Sequence, residues 1–249
     1  MQNSTQINTQ RAGIDKEILE KAVKYYDENF YNPSALYRGG LDVKKVISEV
    51  KSEILKGFPF MEDVVFVSCG SEADNTAIFS FARRGNAVTT SGEHSAVYES
   101  FNELKKRGVE PRYARLNKDG SVNAENLLSL IDDKTTFVSV VHVNNETGAI
   151  NDVNYIAEEA KKKNPSLIFH SDGVQAFGKI PFKANNKIDL YSVSAHKIGG
   201  LKGMGALVKK KNLVMTPLIF GGGQENGERS GTENVLGIVD FGMAVKKHN

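Results

Sequence analysis

Short apolar runs of strand length recur along this chain with helix-spaced stretches between them. No other feature limits the possible fold as tightly. The runs are residues 64–68, 87–90, 111–115, 136–143, 167–171, 187–193 and 206–208. Helical spacing covers 14–30, 41–55, 73–84, 95–107, 123–131, 153–163 and 235–247. In the first of these, Ile14, Ile18, Leu19, Ala22, Val23 and Tyr26 fall on one face. Pro33 breaks the pattern before the second helix, and Gly57 is a plausible stop after it. Strands that alternate with helices predict an α/β fold: three α/β/α layers around a mainly parallel sheet. In such sheets ligands bind beyond the carboxyl ends of the strands.

The bulk numbers exclude several function classes. With 32 basic and 30 acidic residues the net charge is +2, so no basic excess marks a nucleic-acid surface. Cys69 is the only cysteine, which rules out an internal disulfide and a cysteine-based metal site. No apolar run approaches the roughly 18 residues needed to span a bilayer. Residues 1–10 are polar and lack a signal-peptide core, so a cytoplasmic protein is expected.

Polar residues gather where the strands end. Residues 64–68 lead into Cys69-Gly70-Ser71-Glu72 at a helix start. Backbone N–H groups, a hydroxyl and the helix dipole there suit a phosphate, although Ser71 as a simple N-cap fits equally. The next strands deliver His94, then His142 with Asn144 and Asn145, then His170, Asp172 and Gln175. Residues 187–193 deliver Ser194, His196 and Lys197, followed at once by glycines. A lysine at the lip of a buried strand can lose solvation and become a usable nucleophile. A lone lysine at a strand end is ordinarily just a surface group, and it is the company of the other strand ends that sets this one apart.

Two other patterns carry less. Gly173 to Lys179 has the glycine and lysine spacing of a P-loop, but Ile180 stands where a magnesium-ligating hydroxyl belongs, and Asp172 would repel a phosphate. The histidines His94, His142, His170 and His196 show no metal-motif spacing, so no metal is expected.

Taken together the blocks resemble the pyridoxal-phosphate-dependent cysteine desulfurases of the class V aminotransferase superfamily. They are Cys69-Gly70-Ser71-Glu72-Ala73-Asp74-Asn75-Thr76-Ala77, Gly92-Glu93-His94, His142-Val143-Asn144-Asn145-Glu146-Thr147-Gly148, Ser171-Asp172-Gly173-Val174-Gln175-Ala176-Phe177-Gly178-Lys179 and Ser194-Ala195-His196-Lys197-Ile198. Gly221-Gly222-Gly223-Gln224-Glu225 and Arg229-Ser230-Gly231-Thr232-Glu233-Asn234 complete the set, in order along the chain.

The resemblance implies the large domain of the type I pyridoxal-phosphate enzyme fold over residues 14–249, with 1–13 as an N-terminal arm. It implies pyridoxal 5'-phosphate as cofactor. Lys197 would form the Schiff base and move protons at the substrate carbon. Asp172 would face the ring nitrogen, His94 would stack on the ring and serve in acid/base steps, and Gln175 would bond the phenolic oxygen. Asn145 would contact cofactor or substrate. Gly70, Ser71, Ser194 and His196 would hold the phosphate, and Thr232 would reach the phosphate of a neighbouring subunit in a homodimer. Glu72 is assigned no role. The implied reaction converts L-cysteine to L-alanine through a cofactor quinonoid and passes sulfur on. Its acceptor would be an acceptor or scaffold protein of iron–sulfur assembly or tRNA thiolation.

The sequence also departs from that family. Relatives carry a persulfide-forming cysteine and a substrate-carboxylate arginine in a C-terminal small domain, which is expected to be absent here. Cys69 is expected to be a packed loop residue, and Arg229 is not expected to replace the missing arginine. Relatives have an Asp-Asn-(Asn or Ser)-Ala-Thr-Thr motif ahead of the first helix, where this chain has Asn3-Ser4-Thr5-Gln6-Ile7-Asn8-Thr9-Gln10. Gly199 and Leu201 stand where relatives more often have His and Pro. Desulfurase turnover is therefore expected to be impaired. The alternatives are another class V enzyme, such as a selenocysteine lyase, or a non-catalytic cofactor-binding or dimerising domain.

Overall fold

The computed structural model describes residues 13–248. The arm assigned to residues 1–13 lies outside them except for Gly13. Two helices, α1 (Lys16–Glu28) and α2 (Arg38–Leu55), precede the sheet. The first strands and helices then alternate: β1 (Asp63–Val67), α3 (Gly70–Phe81), β2 (Asn86–Thr90), α4 (Ser95–Lys106), β3 (Glu110–Ala114) and α5 (Ala124–Ser129). β4 (Thr135–Val141), α6 (Val153–Lys163), β5 (Ile168–Asp172), β6 (Leu190–Ser194), β7 (Gly205–Lys209) and α7 (Val235–His248) follow. The start of α1 differs slightly from the sequence expectation because a side chain sets it. Asp15 caps α1 by accepting from Ile18 N at 3.2 Å, which moves the start from residue 14 to Lys16.

The strands form one seven-stranded sheet in the order β1-β7-β6-β5-β4-β2-β3. β7 runs antiparallel to both its neighbours, β1 and β6, and every other pairing is parallel. The sheet is thus mainly parallel, with one reversed strand. Residues alternate between its two faces with period two. Val64, Phe66, Val138, Val140, Ala206 and Val208 pack toward α1, α2, α5, α6 and α7. Val65, Val67, Phe137 and Leu207 pack toward α3 and α4. This gives the three layers expected from the sequence. Among the described residues no helix is long and apolar enough to cross a membrane.

Strand β6 begins at Leu190 rather than at residue 187. Asp189, at its entry, pairs with Lys161 at 2.6 Å and Lys210 at 2.7 Å and accepts from Phe169 N, while its own N–H donates to Phe169 O and its carbonyl accepts from Lys210 N, so a polar clamp anchors the start of the ladder. Both edge strands are occupied. At β1 the N–H of Phe66 donates to Glu225 Oε2 at 3.1 Å, and Lys51 holds the same oxygen at 2.7 Å. At β3 the edge carries Pro111 between Glu110 and Arg112, whose side chains pair at 2.9 Å.

Candidate active site

A cavity of about 300 Å³ opens at the carboxyl ends of the central strands. It is lined by Gly70, Ser71, His94, Asn145, Asp172, Gln175, Ser194, His196 and Lys197, together with Cys69, Asp74 and a wall of Val141, Val143 and Val174. The structure therefore brings together every candidate residue except Thr232. Thr232 lines a second cavity with Phe66, Ser68, Glu225 and Arg229.

One wall is the start of α3. Cys69, in extended conformation, is its N-cap and offers no side-chain hydrogen bond to the helix. Ser71 lies inside the first turn, so the alternative that made it a simple N-cap does not hold. The first-turn N–H groups face the cavity without a capping side chain, and such an end attracts anions. Gly70 is required there, since a Cβ would lie 2.6 Å from Val174 Cγ2. Glu72 has a structural job: it accepts from Ser68 N at 2.7 Å and from Arg229 Nε at 2.9 Å. Burial pushes its carboxyl up, but Arg229 and Ser68 outweigh that and hold it below the ordinary range. Arg229 is thereby committed away from the cavity.

Asp172 ends β5, beside Val141 of β4 and Ser192 of β6 in register. It is 4% exposed and accepts from Val174 N at 2.9 Å. Burial raises its pKa, while the Val174 amide, His94 and Lys197 pull the other way. A buried carboxylate of this kind is stabilised by a cation placed next to it. The chain turns sharply after it, and Gly173 permits this, because a Cβ there would sit 1.9 Å from Tyr191 Cε1. The segment Gly173 to Ile180 is a run of turns rather than a phosphate loop opening a helix.

Lys197 sits in a single 3-10 turn, Ala195–Ile198, directly after β6. Ser194 Oγ lies 2.9 Å from His196 Nδ1. His94 is the N-cap of α4, and its Nδ1 accepts from Ala96 N at 3.1 Å, so the neutral ring carries its proton on Nε2. Gln175 accepts from Lys179 Nζ at 2.7 Å. Burial, and then the charge of Lys197, pull the Lys179 ammonium below the usual lysine range.

Two of the four histidines that lie in or follow strands are held by the core. His170 lies between Ser139 Oγ and Ser192 Oγ, each at 2.9 Å, and burial drives its pKa down to about 3. His142 Nδ1 meets Tyr191 OH at 2.7 Å, and burial lowers its pKa to about 4. Both rings are neutral at physiological pH.

Sequence reasoning missed two buried carboxyls, Asp74 in the cavity lining and Glu93 next to His94. Asp74 is 1% exposed, lines the cavity, and has an Oδ1 with no hydrogen-bond partner, 3.6 Å from His170 Nε2. Burial and then Asp172 push its pKa up. Glu93 accepts from Thr90 Oγ1 at 2.8 Å and Val141 N at 3.0 Å, while its Oε2 is shut away unpartnered. Burial raises its pKa to about 8. The signal for Asp74 was its spacing, three residues after Ser71 and so on the same helix face.

The loop after β4 is built on Asn144 rather than on Asn145. Asn144 donates to Gly92 O at 2.8 Å and accepts from both Glu146 N and Thr147 N at 2.8 Å, whereas Asn145 reaches the cavity and donates to Glu146 Oε1. Asn144→Ala is expected to cost about 2 kcal/mol, because it strands a buried carbonyl and two loop amides. Urea unfolding measures it, and a loss under about 0.5 kcal/mol would show that the loop does not depend on this side chain.

A mainly parallel sheet with a lysine turn, a buried aspartate and an uncapped helix start around one cavity is an arrangement of the aminotransferase class V type. The Aminotransferase class-V family model matches residues 9–248, and the chain belongs to that family. It is 40% identical over 237 residues to the cysteine desulfurase IscS of Clostridium botulinum (strain Hall), a match covering 92% of this chain and 59% of that protein. The chain thus spans less than two thirds of the length of that relative. A solved NifS-like protein superposes with a TM-score of 0.91 at 34% identity, covering 98% of this chain and 70% of that one. A structure described as SspA in complex with cysteine gives 0.90 at 30% identity, covering 98% and 72%. The architecture is that of the type I pyridoxal-phosphate enzymes.

Proposed function

We propose that this chain binds pyridoxal 5'-phosphate in the cavity and handles L-cysteine as a cysteine desulfurase does. The observation that carries the proposal is the joint presence of Lys197, Asp172, His94 and the α3 start around one cavity. The donor set fits the group. The uncapped first turn of α3, Ser71, Ser194 and His196 suit its phosphate, and Gly70 leaves the room that a Cβ would fill. Asp172 is a buried carboxyl whose burial outweighs the pull of His94 and Lys197, so a protonated ring nitrogen beside it would be stabilising. When bound, the cofactor supplies an electron sink for the bond being broken at the substrate's α-carbon.

The chain's own residues do the rest. Lys197 would hold the cofactor, and its amine would take or return a proton at the substrate carbon. His94, with a proton on Nε2 when neutral, forms one wall and can donate from that nitrogen. Val141, Val143 and Val174 give the cavity an apolar wall that would exclude water. Asn145 and Gln175 orient oxygens at the rim. Thr232, in its separate cavity, is proposed to serve a second copy of the chain in a homodimer.

Sulfur transfer needs a thiolate to attack the substrate sulfur, giving a persulfide and L-alanine. The only thiol of the sequence, Cys69, is the N-cap of α3, with Ser68 Oγ 3.7 Å from its Sγ. Its backbone caps the helix while its side chain makes no bond to it and lines the cavity, and we assign it no sulfur-carrying role. These 249 residues alone are therefore expected to bind cofactor and cysteine but to release little sulfide. Absorbance spectroscopy tests the proposal: pyridoxal phosphate should give a protein-bound visible band, and L-cysteine should shift it. A spectrum that is simply the sum of protein and free cofactor would sink it. Fast sulfide release that vanishes in Cys69→Ser would overturn the assignment of Cys69.

A further inference from the structure

The contact between Lys179 and Gln175 determines which end of an amide the cavity meets. Gln175 is 7% exposed and lines the cavity. Its Oε1 accepts from Lys179 Nζ at 2.7 Å. The turn that joins them is tight: Ala176 N and Phe177 N both donate to Gly173 O, and Lys179 N donates to Ala176 O, each at 2.9 Å. An ammonium has three donors and no acceptor, so Lys179 can be satisfied only by the carbonyl end of the amide. The Nε2 end, a donor, is then the one available to the cavity. Without Lys179 the two flips of the amide would be decided by what else is near. Lys197 lines the same cavity, and its ammonium would compete for Oε1 and turn the oxygen inward.

We propose that Lys179 is a positioning residue whose ammonium fixes the Gln175 amide so that its N–H groups, and not its oxygen, meet an anionic oxygen of a ligand in the cavity. This inference rests on the pyridoxal phosphate reading above, in which that oxygen is the phenolic one. An amide whose oxygen is held by a cation is also a better donor, because hydrogen bonds in a chain polarise one another.

Pyridoxal phosphate titrations followed by the visible band test this on the full chain. Lys179→Met should weaken binding about fivefold, the size of one hydrogen bond made or lost. Lys179→Arg keeps a donor-only cation and should stay within about twofold of the parent. Lys179→Gln offers both a donor and an acceptor, cannot fix the flip, and should resemble Lys179→Met; it also serves if the methionine variant folds poorly. The deciding measurement is the double-mutant cycle. In a Gln175→Ala background Lys179→Met should have no further effect, because no amide is left to orient. Equal losses in both backgrounds, or parent-like binding by Lys179→Met, would overturn the inference while leaving the cofactor reading intact. A parent protein that shows no bound band would instead remove the cofactor reading and this inference with it.

Discussion

Lys197→Ala is expected to abolish the covalent adduct that borohydride traps between protein and pyridoxal phosphate, together with the visible band. Any turnover of cysteine should fall by at least about 10³-fold, since the variant loses both anchor and proton carrier. Among the described residues Lys197 is the only lysine lining the cavity, and it lies on a short turn whose backbone is fixed at both ends. Ala195 N donates to Met204 O before it, and Gly200 N donates to Ala195 O after it. Asp240 of α7 accepts from Leu201 N at 2.6 Å and braces the same turn. Trimming the half-buried Lys197 side chain leaves all of these contacts in place, so loss of the adduct would report chemistry rather than unfolding. Peptide mapping of the trapped parent should place the label on Lys197. A label on Lys179, persisting in Lys197→Ala, would show that the other nearby amine is the nucleophile.

The second large effect is on stability and concerns Glu93. Its pKa is about 8 in the folded protein against an ordinary value of 4.5, with burial as the leading cause. The folded state therefore holds more protons than the unfolded one across that window. Stability falls as pH rises from 4.5 through about 8 and is flat above it. The full shift corresponds to about 5 kcal/mol, of which relaxation should leave roughly 2–3 kcal/mol to be measured. Glu93→Gln keeps an oxygen for Val141 N and Thr90 Oγ1 and removes the charge. The variant should match the parent near about pH 5 and exceed it by roughly 2–3 kcal/mol near about pH 9. Urea unfolding of the cofactor-free proteins at the two pH values measures this. The same advantage at both would mean that ionisation of Glu93 is not its source. Asp74 and Asp172 are shifted in the same direction and each is electrostatically linked to Glu93, so they deepen the parent's decline and removal of the Glu93 charge relieves part of it.

Much of the site was legible in the sequence because parallel strands deliver their last residues to one edge. Asp172 and Lys197 follow strand-like runs directly, and Gly70 with Ser71 opens the helix after β1. What was not legible has physical reasons. Asp74 sits in a helix among polar residues, where a carboxylate ordinarily faces water, and only packing against Asp172 and His170 buries it. Glu93 precedes a histidine in a short loop, and nothing local says that its carboxyl turns inward to Val141. Asn144 and Asn145 are adjacent and chemically identical; only the bridge between Val143 and Ile150 decides which one braces the loop and which one reaches the cavity. The reversal of β7 had a visible signal. No helix-spaced stretch separates it from residues 187–193, and a parallel neighbour would need such a crossover. The entry to β6 had none, since the clamp at Asp189 depends on Lys161 and Lys210 from distant parts of the chain.

The two borders of the sheet limit how one molecule can meet another. An unpaired strand edge is a template for further strands, including those of identical copies. Here the Glu225 carboxylate occupies the Phe66 amide at one border in place of an incoming backbone. At the other, Pro111 has no N–H to offer, and the charged Glu110 and Arg112 flank it. Strand addition is closed off at these positions on both sides. Association of copies of this chain is therefore expected to use helices and loops rather than strand addition at these positions.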